Sequence, residues 1–385
     1  MTVRVNKQSF NIREKLSELE RPIGLKGSEL MGSESVQEAR DLISAGRKNL
    51  FINGDMRIAQ RSNSASTSNN TYNTLDRYNT WINYGSGGVT MSQSSDAPPG
   101  FYKCLQFYND GNATSPSYHF VEQKIEAQNI SRLKMGTSDA EYMTLSFWVR
   151  SNRTGTFNIE ILDDDGSHHI VKRYTINNAA TWEYKTITFP PATNTGVPTY
   201  DNTIGLYVEW WIVSSGSYRG TSTNGTWQTF STTRRNDGGN TTFESLDYWQ
   251  VTGIQLEVGK NATDFEHRSI GEELALCQRY YYEYPKGNTY NIIANGLANT
   301  SNNSLFHFQF PVPMRAAPVV ATTGSWQVID GTSHTISSFS AITDATELTA
   351  RVDATTINSN LTAGKATMLR NNNDANARFA FNAEL

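Results

Sequence analysis

The sequence contains two cysteines in 385 residues and lacks any long apolar run. Cys104 and Cys277 lie far apart and belong to no CxxC or Cys/His motif, which excludes a disulfide framework and a structural zinc site. Cys104 sits in an alternating stretch, which favours a buried free thiol. No run reaches the roughly 18 apolar residues of a membrane span, and the N-terminus lacks the apolar core of a signal peptide. We expect no membrane insertion and no signal-dependent export.

Charge is also scarce, at 18% of residues, and the net charge is −4. Such a chain has no general basic field, so we expect no nucleic-acid partner. The sequence lacks HExxH, GxSxG, P-loop and dinucleotide-binding motifs. We therefore predict no cofactor and no metal, with a structural calcium at Asp55 or Asp247 as the open alternative.

Charged residues are denser in residues 1–48, at 16 of 48, than in the remainder, at 54 of 337, and this segment carries two short amphipathic helix patterns. Asn11 with Glu14, and Ser35 with Glu38, have the spacing of capping boxes. Helices this short are marginal in water without a packing partner. We therefore predict a docking segment, whose apolar contact residues are Ile12, Leu16, Leu19, Val36, Leu42 and Ile43.

After residue 48 the periodicity changes from helical to alternating, and aromatic residues reach 11% of the chain. Short aromatic strands separated by small polar turns predict a mainly β fold. We expect residues 49–268 to form an antiparallel jelly-roll β-sandwich. Two stretches have hairpin signals, RSNRTGTFN before residue 159 and DDDGS at 163–167.

A further boundary lies near Ser269, where Ser269 and Glu272 have capping-box spacing ahead of a short helix. Alternating strands then resume and run to residue 385. We expect residues 269–385 to form a second, smaller C-terminal β-sandwich that follows this connecting helix.

Two segments resemble jelly-roll modules of bacteriophage tail-fibre proteins. These are NLFINGDMRIAQR at 49–61, followed by LDRY and Trp81, and VTGIQLEVGKNATDFEHRSIGEELALCQRYYYEY at 251–284. The opening NLFINGDM is also similar to carbohydrate-binding modules of the jelly-roll type. The resemblance implies a virion protein, usually a homotrimeric fibre, whose N-terminal part binds the particle and whose distal part meets the host.

Exposed aromatic rings with polar neighbours are what a sugar site requires. Trp210 and Trp211 are adjacent in a predicted strand and point to opposite faces, so at most one belongs to the core. We name Trp211, with Tyr218, Arg219 and Trp227 from the polar loop that follows, as candidate glycan ligands. Core or trimer-interface packing is the alternative for each.

Three other groups of residues allow more than one interpretation. Asn372 and Asp374 could contact a glycan from a polar loop, and a solvated hairpin turn explains them equally well. Trp81 is expected in the sandwich core. Asp76 and Arg77 are expected to form a structural ion pair.

A glycan-cleaving enzyme would need two carboxyl groups at about 5–10 Å separation. Asp163, Asp164 and Asp165 are adjacent, but they fit a hairpin turn. Glu160 and Glu209 lie on predicted strands, and nothing in the sequence pairs them. We therefore expect a protein that is not an enzyme.

The resemblance, with which these patterns agree, implies a phage tail-fibre subunit that is made in the host cytoplasm and located in the virion. It would attach through residues 1–48 to a tail or capsid protein, form a homotrimer and adhere to host-surface saccharide without cleaving it. A capsid-decorating fibre or an adaptor for another receptor-binding protein is one alternative. A tailspike glycosidase with a close carboxylate pair in a groove is another.

Overall fold

The computed structural model describes residues 48–85, 88–111, 117–218, 220, 225–230, 239–240, 242–284, 287–340, 344–356 and 360–385. The six predicted docking residues and Arg219 lie outside these ranges. Asn49–Leu385 forms one compact unit. The domain boundary near residue 268 stays a prediction.

The first part of this unit is a sandwich of two six-stranded antiparallel sheets. The first sheet has the order β1-β3-β4-β12-β6-β9, and the second has the order β11-β8-β7-β10-β5-β2. The prediction of a mainly β, antiparallel sandwich is confirmed. The strands are β1 Ser64–Ser66, β2 Asn79–Asn83, β3 Thr90–Ser94, β4 Cys104–Tyr108, β5 Tyr118–Glu126, β6 Met143–Ser151, β7 Gly155–Asp163, β8 His168–Ile176, β9 Glu183–Phe189, β10 Ile204–Ser214, β11 Gln228–Thr229 and β12 Tyr248–Val258. Two 3-10 helices, Ala127–Leu133 and Gly216–Tyr218, follow β5 and β10.

The hydrophobic core lies between these two sheets because alternate residues of each strand point inward. In β10 the inward residues include Leu206, Val208 and Trp210, all fully buried in one large cluster. Cys104 is a buried free thiol, as predicted.

Only one of the two predicted hairpins forms. β7 and β8 pair in register from Gly155↔Ile176 to Asp163↔His168, so the DDDGS turn is confirmed. The prediction of a hairpin at RSNRTGTFN is wrong. β6 pairs with β9 and β12 in the first sheet, whereas β7 belongs to the second sheet. The short connection after Ser151 therefore carries the chain from one sheet to the other.

The C-terminal part begins with helix α1, Ile270–Gln278, whose predicted capping box between Ser269 and Glu272 is present. A closed barrel of order β14-β15-β19-β18-β17-β20 and a three-stranded sheet of order β13-β21-β16 follow. The strands close into a barrel, not the second sandwich predicted, because β14 pairs with β20 as well as with β15. Their bounds are β13 Tyr281–Glu283, β14 Ile292–Ala298, β15 Asn303–Gln309, β16 Val319–Thr323, β17 Trp326–Ile329, β18 Ser333–Phe339, β19 Thr349–Thr356, β20 Ala366–Asn371 and β21 Arg378–Asn382.

Buried ion pairs connect the chain end to the sandwich. Glu384 pairs with Arg61 at 3.0 Å and with Arg77, and the side chains of all three are at most 5% exposed. Asp76 pairs with Arg61 at 3.4 Å. The predicted ion pair between Asp76 and Arg77 is therefore wrong. Asp76 pairs with Arg61, and Arg77 pairs with Glu384.

Two general features are absent from the described ranges. No helix there is long and apolar enough to cross a membrane. Within the same ranges, no group of three or more His, Cys, Asp or Glu side chains is arranged to hold a metal ion.

Candidate functional site

The outer face of the second sheet carries a row of aromatic rings. The register pairs Trp81 of β2 with Phe120 of β5, and Phe120 with Trp211 of β10. Directly opposed residues in neighbouring strands share a face, so the three rings lie side by side. Their centroids are 6.0 Å apart for Trp81 and Phe120, and 4.4 Å apart for Phe120 and Trp211, with nearly parallel planes.

A row of three glutamates lies beside the rings. Glu209 of β10 is directly opposite Glu122 of β5 on one side and Glu160 of β7 on the other. All three side chains are buried. The three glutamates are therefore neighbours on the outer face, where Asn79 donates to Glu122 Oε1 and Lys124 Nζ lies 3.7 Å from it.

Ring N–H groups donate to these carboxylates. Trp81 Nε1 donates to Glu122 Oε1 at 2.9 Å, and Trp211 Nε1 donates to Glu209 Oε2 at 2.9 Å. His169 Nδ1 is 2.7 Å from Glu160 Oε1. These contacts fix the position of the three carboxylates beside the aromatic row.

An open pocket of about 320 Å³ adjoins the aromatic row where β2 ends and β5 begins. Tyr118 lies two residues before Phe120 on the same outer face, and its ring is 6.1 Å from the Phe120 ring. The pocket is therefore continuous with the aromatic row. Its walls are Thr67, Ser68, Asn69, Ile82, Asn83, Tyr84, Gly88 and Tyr118.

Hydrogen bonds fix both tyrosines of the pocket. Tyr118 Oη donates to Asn69 Oδ1 at 3.3 Å. Tyr84 Oη is 3.2 Å from Nδ1 of His119, which is fully buried beneath the pocket and in edge contact with the Phe107 ring. Burial lowers the pKa of His119 to about 3 and raises that of Tyr84. Both groups are therefore neutral near pH 7 and hold the pocket wall without charge.

The structure separates the predicted aromatic ligands. Trp211 is on the outer face, although it is only 2% exposed, and Tyr218 packs against Tyr118 with centroids 4.7 Å apart. Trp227 belongs to the hydrophobic core, and its Nε1 donates to Pro190 O at 2.9 Å. Its ring is therefore packed inside the sandwich and is not available to a ligand.

Asn372 and Asp374 lie in the connection between β20 and β21. Asp374 accepts backbone hydrogen bonds from Ser325 N and Asn376 N, both at 3.0 Å. The backbone N–H of Asn372 donates to Ser325 O at 2.8 Å. The Asp374 carboxylate therefore stabilises this connection by accepting backbone hydrogen bonds, which agrees with the interpretation of the two residues as part of a hairpin turn.

The candidate site includes Asn83 and Tyr118, which the sequence did not single out, and Trp81 and Tyr84, for which the sequence favoured core packing. Trp81 was expected in the core, but it is half-buried on the outer face, whereas its neighbours Thr80 and Ile82 are buried. The alternation of Asn79–Asn83 contained this signal. The positions of Tyr84 and Tyr118 depend on the pairing of β2 with β5, which a single sequence does not provide.

The adjacent aspartates Asp163, Asp164 and Asp165 make contacts within and beside the turn between β7 and β8. Asp165 accepts hydrogen bonds from Thr199, and Asp164 accepts one from Tyr207. The carboxyl of Asp163 lies against Gly166, and burial raises its pKa to about 6. The three side chains therefore shape the turn between β7 and β8.

No protein-family model and no curated protein matches the chain. One similar solved structure is the enzymatically active domain of tailspike protein 4 from bacteriophage CBA120, with 12% identity and a TM-score of 0.32 over 55% of this chain and 21% of that chain. The carbohydrate-binding module TmCBM61, in complex with β-1,4-galactotriose, has 10% identity and a TM-score of 0.28 over 55% of this chain and 99% of that chain. A family 11 carbohydrate-binding module from Clostridium thermocellum, in complex with a mixed-linked tetrasaccharide, has 12% identity and a TM-score of 0.26, with coverages of 55% and 99%. These scores assign the chain to no family.

Proposed function

We propose that the protein binds glycan in the open pocket beside β2 and β5, next to the half-buried Trp81. The observation that carries this proposal is the open pocket, which combines two tyrosine rings with the side chains of Asn69 and Asn83. Tyrosine rings can stack on the apolar faces of sugars, and amides can donate to and accept from hydroxyl groups. The half-buried Trp81 extends this surface along the aromatic row.

The proposal places this activity in a phage fibre. Residues 49–61 and 251–284 resemble tail-fibre modules, and the amphipathic patterns of residues 1–48 fit a segment that docks on a tail or capsid protein. A homotrimer would present three copies of the pocket. Weak individual sites would then gain avidity from simultaneous binding.

Binding of the full chain to purified bacterial surface polysaccharides tests the proposal. We expect binding that is lost after periodate oxidation of the glycan, without release of reducing ends. Tyr84→Ala should weaken binding at least tenfold. Tyr184→Ala should leave binding unchanged, because Tyr184 is an exposed residue of β9 in the first sheet.

Absence of binding to every polysaccharide would contradict the proposal. It would favour the alternative of a capsid fibre or an adaptor that carries another receptor-binding protein. Binding that resists Tyr84→Ala would contradict the pocket as the site.

Glycoside hydrolysis is a second candidate, favoured by the glutamate row. Side chains directly opposite one another in neighbouring strands have Cβ atoms about 4.5–5.5 Å apart, which is compatible with the carboxyl spacing of about 5–5.5 Å in retaining glycosidases. Glu122 and Glu209 have this relation. However, both are at most 2% exposed and bound by indole N–H groups, so binding without cleavage is the better-supported function. Release of reducing ends that disappears in Glu209→Gln would support the enzyme.

A further inference from the structure

The pocket beside β2 and β5 is distinguished by the chemistry of its walls. Every described side chain that lines it is uncharged. Thr67, Ser68 and the two tyrosines contribute hydroxyl groups, whereas Asn69 and Asn83 contribute carboxamides. The histidine behind Tyr84 is also neutral near pH 7, because burial lowers the pKa of His119 to about 3.

The hydrogen bonds already present determine what the pocket offers a ligand. Asn69 Oδ1 accepts from Ile82 N and from Tyr118 Oη, each at 3.3 Å. Its Nδ2 group is therefore directed away from these donors. The hydroxyl of Thr67 donates to Val89 O at 2.5 Å and retains its acceptor lone pairs. A pocket with amide donors and hydroxyl acceptors matches the hydroxyl groups of a sugar.

The same walls lack a counter-ion for a charged ligand. A carboxylate needs Arg, Lys or several aligned N–H donors, and an ammonium group needs a carboxylate. Among the described residues, Asp247 is the acidic group that acts on the wall, since burial and the charge of Asp247 together raise the pKa of Tyr84. Asp247 does not line the pocket, and its carboxylate accepts from Glu244 N and Asn152 Nδ2 and pairs with Arg153 at 3.4 Å. A charged group that loses hydration on contact with these walls gains no ion pair with them in return, which weakens its binding relative to a neutral group.

We propose that this pocket selects uncharged sugar residues and discriminates against uronic acids and 2-amino sugars. The inference rests on the proposed glycan binding and names its ligand class. The observation behind it is the uncharged lining, which is independent of any resemblance to other proteins.

The experiment is an oligosaccharide array probed with the full chain. The array carries matched sets in which each neutral oligosaccharide stands beside its uronic acid and its 2-amino counterpart. We expect the charged members of each bound set to bind at least tenfold more weakly than the neutral member. Equal or stronger binding of a charged member would overturn the inference while leaving glycan binding intact. Absence of binding to all members would overturn glycan binding as well.

A variant that adds a positive charge to the pocket then tests whether this pocket causes the discrimination between charged and neutral sugars. Asn83→Lys places an ammonium group at the exposed edge of the pocket, and we expect it to raise the ratio of uronic acid to neutral binding at least threefold. Asn295→Lys adds the same charge at an exposed position of β14 in the barrel and should leave this ratio unchanged. An unchanged ratio in Asn83→Lys, or an equal change in both variants, would overturn the assignment to this pocket.

Discussion

His119 makes the fold sensitive to acid. Burial lowers its pKa from 6.5 to about 3. Below pH 6.5 the unfolded chain therefore binds a proton at this histidine, whereas the folded chain stays unprotonated there until the pH approaches 3. Stability is therefore unaffected above pH 6.5 and falls by about 1.4 kcal/mol per pH unit as the pH decreases toward 4. His119→Phe should remove this part of the pH dependence, as measured by urea unfolding at pH 7, 5.5 and 4. Equal pH slopes in the two proteins would contradict the assignment.

Asp163 acts in the opposite direction. Burial raises its pKa from 3.8 to about 6, so the folded chain binds the proton more tightly and loses stability as the pH rises from 4 to 6. Asp163→Asn should stabilise the protein by about 1–2 kcal/mol at pH 7 and have little effect at pH 4. The matched change Asp165→Asn should not stabilise, because the Asp165 carboxylate accepts a hydrogen bond from Thr199 N. Thermal unfolding at both pH values distinguishes the two variants.

The sequence predicted which face of a strand a side chain occupies, but it did not predict how deeply that side chain is buried. The alternation of Trp210 and Trp211 correctly gave opposite faces, but not the burial of Trp211 against Phe120 of a neighbouring strand. Trp227 was assigned to a polar loop, yet its ring reaches the core. Burial of a large ring depends on what packs over it, which one strand does not specify.

Among the elements, helix α1 depends on its N-cap. Ser269 accepts from Glu272 N at 3.3 Å, and Glu272 accepts from Ser269 N at 2.8 Å. Ser269→Ala should destabilise the protein by about 1 kcal/mol, measured as a lower midpoint in urea unfolding. Ser269→Thr retains the hydroxyl group and serves as the control. An unchanged midpoint in Ser269→Ala would show that packing alone maintains the helix.

The elements that could be predicted are those whose determining residues lie close together in the sequence. The α1 capping box spans four residues, Ser269 to Glu272, and the turn between β7 and β8 joins two strands that pair with each other. The connection after Ser151 has similar turn residues but crosses between sheets, because β6 takes its partners from β9 and β12. Barrel closure likewise depends on β14 meeting β20. Such distant pairings leave no mark in local composition.

For the molecule as a whole, Glu384 is the main ionic connection between the chain end and the sandwich. Arg77 and Arg61 both pair with it, and their guanidinium groups lie over Tyr280 and Tyr281 at 3.4 and 3.7 Å. Glu384→Gln removes a carboxylate partner from both buried arginines. Arg61 keeps its pair with Asp76, whereas Arg77 loses its ion pair, and we expect a cost of about 3–5 kcal/mol. The exposed Glu347→Gln should change stability by less than about 0.5 kcal/mol. Comparable unfolding midpoints for the two variants would contradict this role.

The position of β12 has a consequence for synthesis. β12 is a central strand of the first sheet, bonded to β4 and β6, yet it is the last sandwich strand to leave the ribosome. Its Gln250 bonds to Gln106, 144 residues earlier. At roughly 5–20 residues per second, β4 waits on the order of ten seconds for this partner. Meanwhile its edge is open to other chains, so prematurely terminated products lacking β12 should aggregate.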